Sequence, residues 1–314
     1  MCKRLAAFFL YRFSIFTLIS VCCSFPCFAK FIAVTMSQED NFRNQISKDI
    51  ERQIDARGDV SYIDSADGDF STQLQQVRQF VHAGADAIVI FAVGTPEQNR
   101  QLFAFAKDVP LIFINTEPVD DLATMPANTV YVGSDEQQSG TLQMEELARL
   151  ANYQGKVALL IGDESHPAAR ARTADVKRVL AKYPNMSLVV SGVAQWQRNQ
   201  AYNLVADWLK QPVPFDILVA NNDEMILGGL MALKEAGKRP QDYLTGGIDA
   251  TAEALQAVQG GDLNVTILQD AAGQASAVVD ATYKLLQQQP VVSPSWVPFR
   301  LVTADNYRIY QSTH

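Results

Sequence analysis

Residues 215–229 read "FDILVANNDEMILGG". A short apolar, β-prone run ends in four polar residues, Asn221, Asn222, Asp223 and Glu224. They lead into "EMILGGLMALKEAG", which continues as a helix. A buried strand followed at once by a helix is the repeating unit of a parallel α/β sheet. The polar quartet at the junction could cap the helix, gather acids for catalysis, hold a metal or floor a ligand pocket. Aspartate is a favoured N-cap, so Asp223 serves that role as well as any other. Gly228 and Gly229 are expected to let helix and sheet approach closely.

The same unit recurs along the chain. "FIAVTM", "VSYID", "DAIVIF", "PLIFIN" and "TVYVG" alternate with helical stretches such as "NFRNQISKDIERQIDARG". After Gly155 come "KVALLIG", "SLVVSGV", "FDILVAN", "YLTGGID" and "NVTILQD". Five strands in each half, with right-handed crossovers, predict α/β architecture: two doubly wound parallel-sheet lobes. Turn signals near Gly133–Ser134, a change near Gln269–Asp270 and the "VVSPSWVP" segment predict several crossings of a hinge. The expected lobes are 30–133 plus 270–297, and 134–269 plus 298–314. Trp208 and Trp296 are expected in core or hinge packing.

The first 29 residues differ from the rest. They begin with Lys3, Arg4 and Arg12, continue through an apolar run and end at Ala29, the order of a secretory signal peptide. Cleavage near Ala29 and a periplasmic location are the expectation; an uncleaved anchor is the alternative. A lipoprotein cut before Cys22 or Cys23 would put Val21 or Cys22 where Gly or Ala is preferred. All four cysteines (Cys2, Cys22, Cys23, Cys27) lie in this leader, so disulfides and thiolate chemistry are not expected beyond it. The leader holds three of the 26 basic residues and none of the 34 acidic ones, so the remainder carries a net charge of −11. That argues against nucleic acid and anionic membrane surfaces as partners.

In parallel α/β sheets a ligand sits beyond the carboxyl ends of the strands. The residues there are Ser37 and Glu39–Phe42, then Asn115, Asp163–His166, Gln195–Trp196, Asn221–Asp223, Asp249 and Gln269–Asp270. Nearly every strand ends in a side chain able to bond a hydroxyl, and two ends add an aromatic. Carboxylates and amides bond hydroxyls directionally, and Trp or Phe covers the C–H face of a ring. A polyol site is the reading. Catalysis has little support: G-x-S-x-G, Walker A, G-x-G-x-x-G and H-E-x-x-H patterns do not occur, and His82, His166 and His314 are far apart. A D-x-D-x-D-G calcium loop does not occur either. No cofactor, no metal and no enzymatic activity are expected.

Seven segments, "EDNF" (39–42), "VPLIFINTEP" (109–118), "GDESHPAARART" (162–173), "AQWQRNQA" (194–201), "ANNDEMILGGLMALKEAG" (220–237), "GGIDATAEALQAV" (246–258) and "VTILQDAAGQ" (265–274), occur in this order. Together they resemble the galactose/glucose-binding and inositol-binding receptors of ABC transporters, type I periplasmic binding proteins. The resemblance runs from Phe31 to about Thr303. It implies that Asp40 and Asn115 accept ligand hydroxyl bonds, that Phe42 and Trp196 sandwich the ring, and that Arg172 bonds ring hydroxyls beside His166. Asn222 and Asp249 stand for the second lobe's amide and carboxylate. The opening quartet then divides its labour, with Asn222 facing the cleft and Asp223 starting the helix. Gln269 replaces an asparagine of the galactose receptor, Ala168 an aspartate and Thr116 a lysine, and "ANYQGK" bridges the family's calcium loop. Fold and ligand class carry over; the particular sugar and the calcium do not. These departures could favour a cyclitol, a pentose or a furanose.

The implied function is capture of a monosaccharide or cyclitol by a monomer that delivers it to a membrane permease of an ABC transporter. The alternative is a receptor that presents its closed form to a chemoreceptor or sensor kinase. A sugar-responsive repressor shares the fold, but the leader and the acidic charge count against it.

Overall fold

A computed structural model describes residues 29–211 and 214–311. The leader therefore lies outside the described residues, apart from Ala29. In chain order the first half comprises β1 (Phe31–Met36), α1 (Asn41–Asp55), β2 (Val60–Ser65), α2 (Phe70–His82), β3 (Ala87–Ile90), α3 (Pro96–Asn99), β4 (Leu111–Ile114) and β5 (Thr129–Gly133). There follow α4 (Glu136–Leu150), β6 (Gln154–Ile161), α5 (Pro167–Leu180), β7 (Asn185–Val193), α6 (Arg198–Lys210), β8 (Ile217–Ala220), α7 (Asp223–Glu235), β9 (Leu244–Gly246), α8 (Ala252–Gly260) and β10 (Val265–Leu268). Helix α9 (Ala271–Leu286) and the strands β11 (Ser295–Trp296) and β12 (Arg300–Thr303) complete the order.

The strands form two sheets, β11-β5-β4-β3-β1-β2 and β12-β10-β9-β8-β6-β7. Every pairing is parallel except β10 with β12. Each sheet thus has six strands where five were expected. The extra ones are β11 and β12, both from the C-terminal segment. β11 is two residues long and sits between Pro294 and Pro298, so it carries no strand signal of its own. The chain passes from the first sheet to the second between β5 and α4, returns between β10 and α9, and crosses again between β11 and β12.

Central strands are apolar on both faces because helices cover both. Ile88 to Ile90 and Ile217 to Ala220 are wholly buried. Helix α1 docks on the first sheet through Ile46, Ile50 and Ile54, spaced four apart along one face. Burying each such side chain contributes about 1.5–3 kcal/mol. Helix α9 packs against the same core through Ala275, Val278 and Val279, although it follows the whole second sheet in sequence. Trp208 is buried in the second core, as expected. Trp296 is 45% exposed in β11, where it meets Tyr131 edge-on at 5.7 Å between ring centres. The two glycines of α7 separate: a Cβ on Gly229 would strike Leu218 of the sheet, but one on Gly228 would meet the Arg198 carbonyl 2.1 Å away. Gly228 therefore serves helix–helix contact with α6 rather than helix–sheet contact.

Candidate functional site

The carboxyl ends of both sheets face one cavity of about 310 Å³. All nine residues expected to bind ligand line it: Asp40, Phe42, Asn115, His166, Arg172, Trp196, Asn222, Asp249 and Gln269. The parallel topology brings them together: eight follow a strand or open the next helix, and Arg172 reaches the cavity from the second turn of α5.

Local geometry sets each side chain. Asp40 precedes α1, and its Oδ1 accepts from the Arg43 amide at 2.7 Å. That bond caps the helix and turns the carboxylate along the cavity wall. Phe42 packs partly on the first core and lines the cavity with the rest of its ring. Asn115 has φ 66°, a left-handed conformation that asparagine tolerates, and its carbonyl accepts from the Tyr131 hydroxyl at 3.1 Å. Trp196 also has positive φ, at 64°, which is costly for a large side chain. Its ring lies over Gly162, where a Cβ would come within 2.4 Å of the indole. Glycine at the end of β6 is therefore what lets the ring sit flat on the backbone.

At α7 the N-cap role expected of Asp223 is corrected, while Asn222 faces the cavity and Asp223 opens the helix as expected. The N-cap is Asn222, whose Oδ1 accepts from the Met225 amide at 3.0 Å. Asp223 is the first helical residue, fully buried and away from the cavity. Its two oxygens accept from Thr251 N and Thr266 Oγ1, both at 2.8 Å, and so tie α7 to the start of α8 and to β10. Burial pushes the Asp223 carboxyl up to about 6, against the pull of those bonds. Asn222 both caps the helix and lines the cavity, because its amide nitrogen remains free of the cap bond.

Arg172 is the hub of the second-sheet wall. Nε and Nη2 bond the Glu136 carboxylate at 2.9 and 3.1 Å, Nη1 donates to the Asn221 carbonyl at 2.7 Å, and Nη2 reaches Gln269 Oε1 at 3.2 Å. Burial opposes its charge, but Glu136 and Asp249 outweigh that and raise its pKa. Asp249 lies 3.8 Å from Nη1. Its side chain accepts no hydrogen bond among the described residues. Burial holds the Asp249 carboxyl well above the usual range; Arg172 opposes this, and the nearby acids Asp223, Asp40 and Glu136 add to it. A donor placed in the cavity would relieve it.

His166 caps α5 through Nδ1, which accepts from the Ala168 amide at 3.1 Å. The ring hydrogen is then on Nε2, 3.2 Å from Thr116 Oγ1 on the opposite wall. Burial, with Arg43 and Arg172 nearby, lowers the imidazole to about 3. The ring also meets Trp196 edge-on at 5.6 Å. A second bridge crosses the cleft where Asn41 Nδ2 donates to Glu224 Oε1 at 3.0 Å. Arg198 holds that glutamate from behind, with Nε 2.9 Å from Oε2.

Glu136 and Arg43 also line the cavity and were not among the expected residues. Both stand in the first turn of a helix that follows a strand of the first sheet, as Phe42 does. Reading strand ends one turn further would have found them.

The sequence pattern of the periplasmic binding protein domain matches residues 32–290. A Rhizobium meliloti protein assigned as rhizopine-binding is 39% identical over 253 residues, which are 79% of this chain and 81% of that one. The D-galactose/methyl-galactoside binding periplasmic protein of Haemophilus influenzae is 31% identical over 274 residues, 82% of this chain and 81% of its own. Among solved structures, an ABC transporter solute binding protein from Bacillus halodurans with bound myo-inositol superposes with a TM-score of 0.83. It is 31% identical, and the match covers 91% of this chain and 98% of that one.

Proposed function

The chain belongs to the periplasmic binding protein family, and we propose that it captures a cyclitol or monosaccharide between two lobes and hands it to an ABC permease. It is a solute-binding protein and not an enzyme, in keeping with the binding proteins it resembles. The observation that carries the ligand class is the cavity lining. Asp40, Asn115, Arg172, Asn222, Asp249 and Gln269 supply donors and acceptors from several directions, and Phe42 and Trp196 supply aromatic surface. Such a lining matches a small ring with a hydroxyl on most carbons, and rejects analogues that leave its polar groups unpaired. Likeness to the Bacillus halodurans protein puts myo-inositol first among candidates.

The lobes in this reading are 30–133 plus 270–297 and 134–269 plus 298–314, closing about the three crossings. The leader is removed near Ala29, and the mature protein acts as a periplasmic monomer. The test is a thermal-shift screen of protein from Lys30, stripped of carried ligand by unfolding and refolding. Its panel is myo-inositol, galactose, glucose, ribose and arabinose. A ligand at about 1,000 times its Kd adds roughly 4 kcal/mol, or on the order of 8–16 °C for a chain of this size. A shift with one panel member, lost in Asp249→Ala, is the expected outcome. No shift with any of them would overturn the ligand class.

A further inference from the structure

Arg43 is an unusual residue for its position. It lies in the first turn of α1, where the helix dipole favours anions, and that turn contains no acidic residue. It is also buried, only 9% exposed, and its Nε has no hydrogen-bond partner among the described residues. A guanidinium N–H removed from water without a partner is costly to the fold. One edge of the group is used: Nη1 pairs with the Asp40 carboxylate. The side chain lines the cavity, and its charge reaches the opposite wall, where it is among the cations that disfavour protonation of His166. Arg43 thus mirrors Arg172. Each wall of the cleft presents an arginine held by a carboxylate of its own, Asp40 on one side and Glu136 on the other.

We propose that Arg43 is a specificity-determining residue of the cleft, donating from Nε to an oxygen of the bound polyol while Nη1 holds Asp40 in place. The inference rests on the reading of the cavity as a polyol site. It accounts for a cation set against a helix dipole and for a buried donor whose partner would be the ligand. The Nε–H is the feature that a lysine cannot supply, so the arginine and not merely its charge is required.

The test measures myo-inositol and the rest of the panel by calorimetry against wild type, Arg43→Lys and Arg43→Met. Arg43→Lys keeps the charge beside Asp40 and removes Nε–H; Arg43→Met removes both. Expected results are at least a tenfold loss of affinity in Arg43→Lys, a larger loss in Arg43→Met, and unliganded melting temperatures within about 2 °C of wild type in Arg43→Lys and at or above wild type in Arg43→Met, where the cation set against the helix dipole is removed. Monodeoxy analogues of the bound ligand supply a readout that a structural role would not move. With the one analogue that lacks the contacted hydroxyl, Arg43→Lys and wild type should bind within threefold of each other. Wild-type affinity in Arg43→Lys would overturn the Nε contact while leaving the polyol reading intact. An equal loss for every deoxy analogue would overturn it too, in favour of an indirect effect through Asp40. A wild-type protein that binds no panel member would overturn the polyol reading and this inference with it.

Discussion

His166 and Thr116 join the two walls of the cleft directly, with imidazole Nε2 3.2 Å from the threonine hydroxyl. The same imidazole caps α5 through its other nitrogen, so one ring connects a helix start on one side to the loop after β4 on the other. Thr116 does not line the cavity. The threonine hydroxyl can therefore be removed without changing the cavity lining, to which His166 contributes. Thr116→Val keeps the shape and removes the hydroxyl. A hydrogen bond of this kind contributes about 0.5–1.5 kcal/mol, so affinity should fall roughly 2–10-fold. The change should appear as faster dissociation in stopped-flow fluorescence. An unchanged dissociation rate would mean that the bond does not hold the closed form.

Gly162 supports the indole of Trp196 from beneath. Gly162→Ala would put a methyl group within 2.4 Å of the ring, which must tilt into the cavity. Ligand affinity should drop at least tenfold and tryptophan emission should shift, while the fold is kept, since Trp196 packs only on the margin of the second core. Retained affinity would show that ring placement is not set by this glycine.

Glu136 compensates the buried guanidinium of Arg172 with two hydrogen bonds. Removing one partner of a buried ion pair costs about 3–5 kcal/mol. Glu136→Gln should therefore lower the unliganded melting temperature by at least about 6 °C, at 2–4 °C per kcal/mol. A drop of less than 2 °C would mean that Asp249 and the Asn221 carbonyl suffice for Arg172.

Half-buried His166 and fully buried Asp223 give opposite pH dependences. His166 titrates near 3 in the folded protein against an ordinary 6.5, so its contribution is present above pH 6.5 and is lost as pH falls toward 3. Asp223 titrates near 6 against 3.8, so the folded state takes up its proton first and gains stability as pH falls from about 6 to 4. Melting curves between pH 7.5 and 4.5 separate the two. His166→Gln should lessen the loss on acidification relative to wild type, and Asp223→Asn should remove the gain. Parallel curves for all three proteins would contradict both assignments.

How far the sequence alone reached follows from what each signal depends on. Eight of the ten apolar runs were legible because a central strand buried on both faces has to be apolar throughout; the edge strands β2 and β7 are part-exposed and were read from their β-prone residues and their place in the alternation. The strands β11 and β12 were not, because two residues between prolines and a four-residue edge strand rely on their neighbours for pairing. The site was legible as a set of strand ends, and the cavity lining contains all nine residues named from them together with the family resemblance. What sequence order cannot convey is helical phase. Asn222 and Asp223 are adjacent and chemically alike, yet one turns to the cavity and the other inward to Thr251 and Thr266. Arg43 and Glu136 were passed over for a simpler reason, since the strand-end reading stopped short of the first helical turn.

Helix α9 has a bearing on synthesis. It supplies Ala275, Val278 and Val279 to the core beneath β1, β3, β4 and β5, but it is made only after the entire second sheet through β10. A ribosome that has finished residue 133 has made five strands and α1, but the second helix that covers their shared face does not yet exist. The first lobe must therefore wait for residues 271–286 before its apolar face is closed, and completion of the fold is deferred almost to the end of translation.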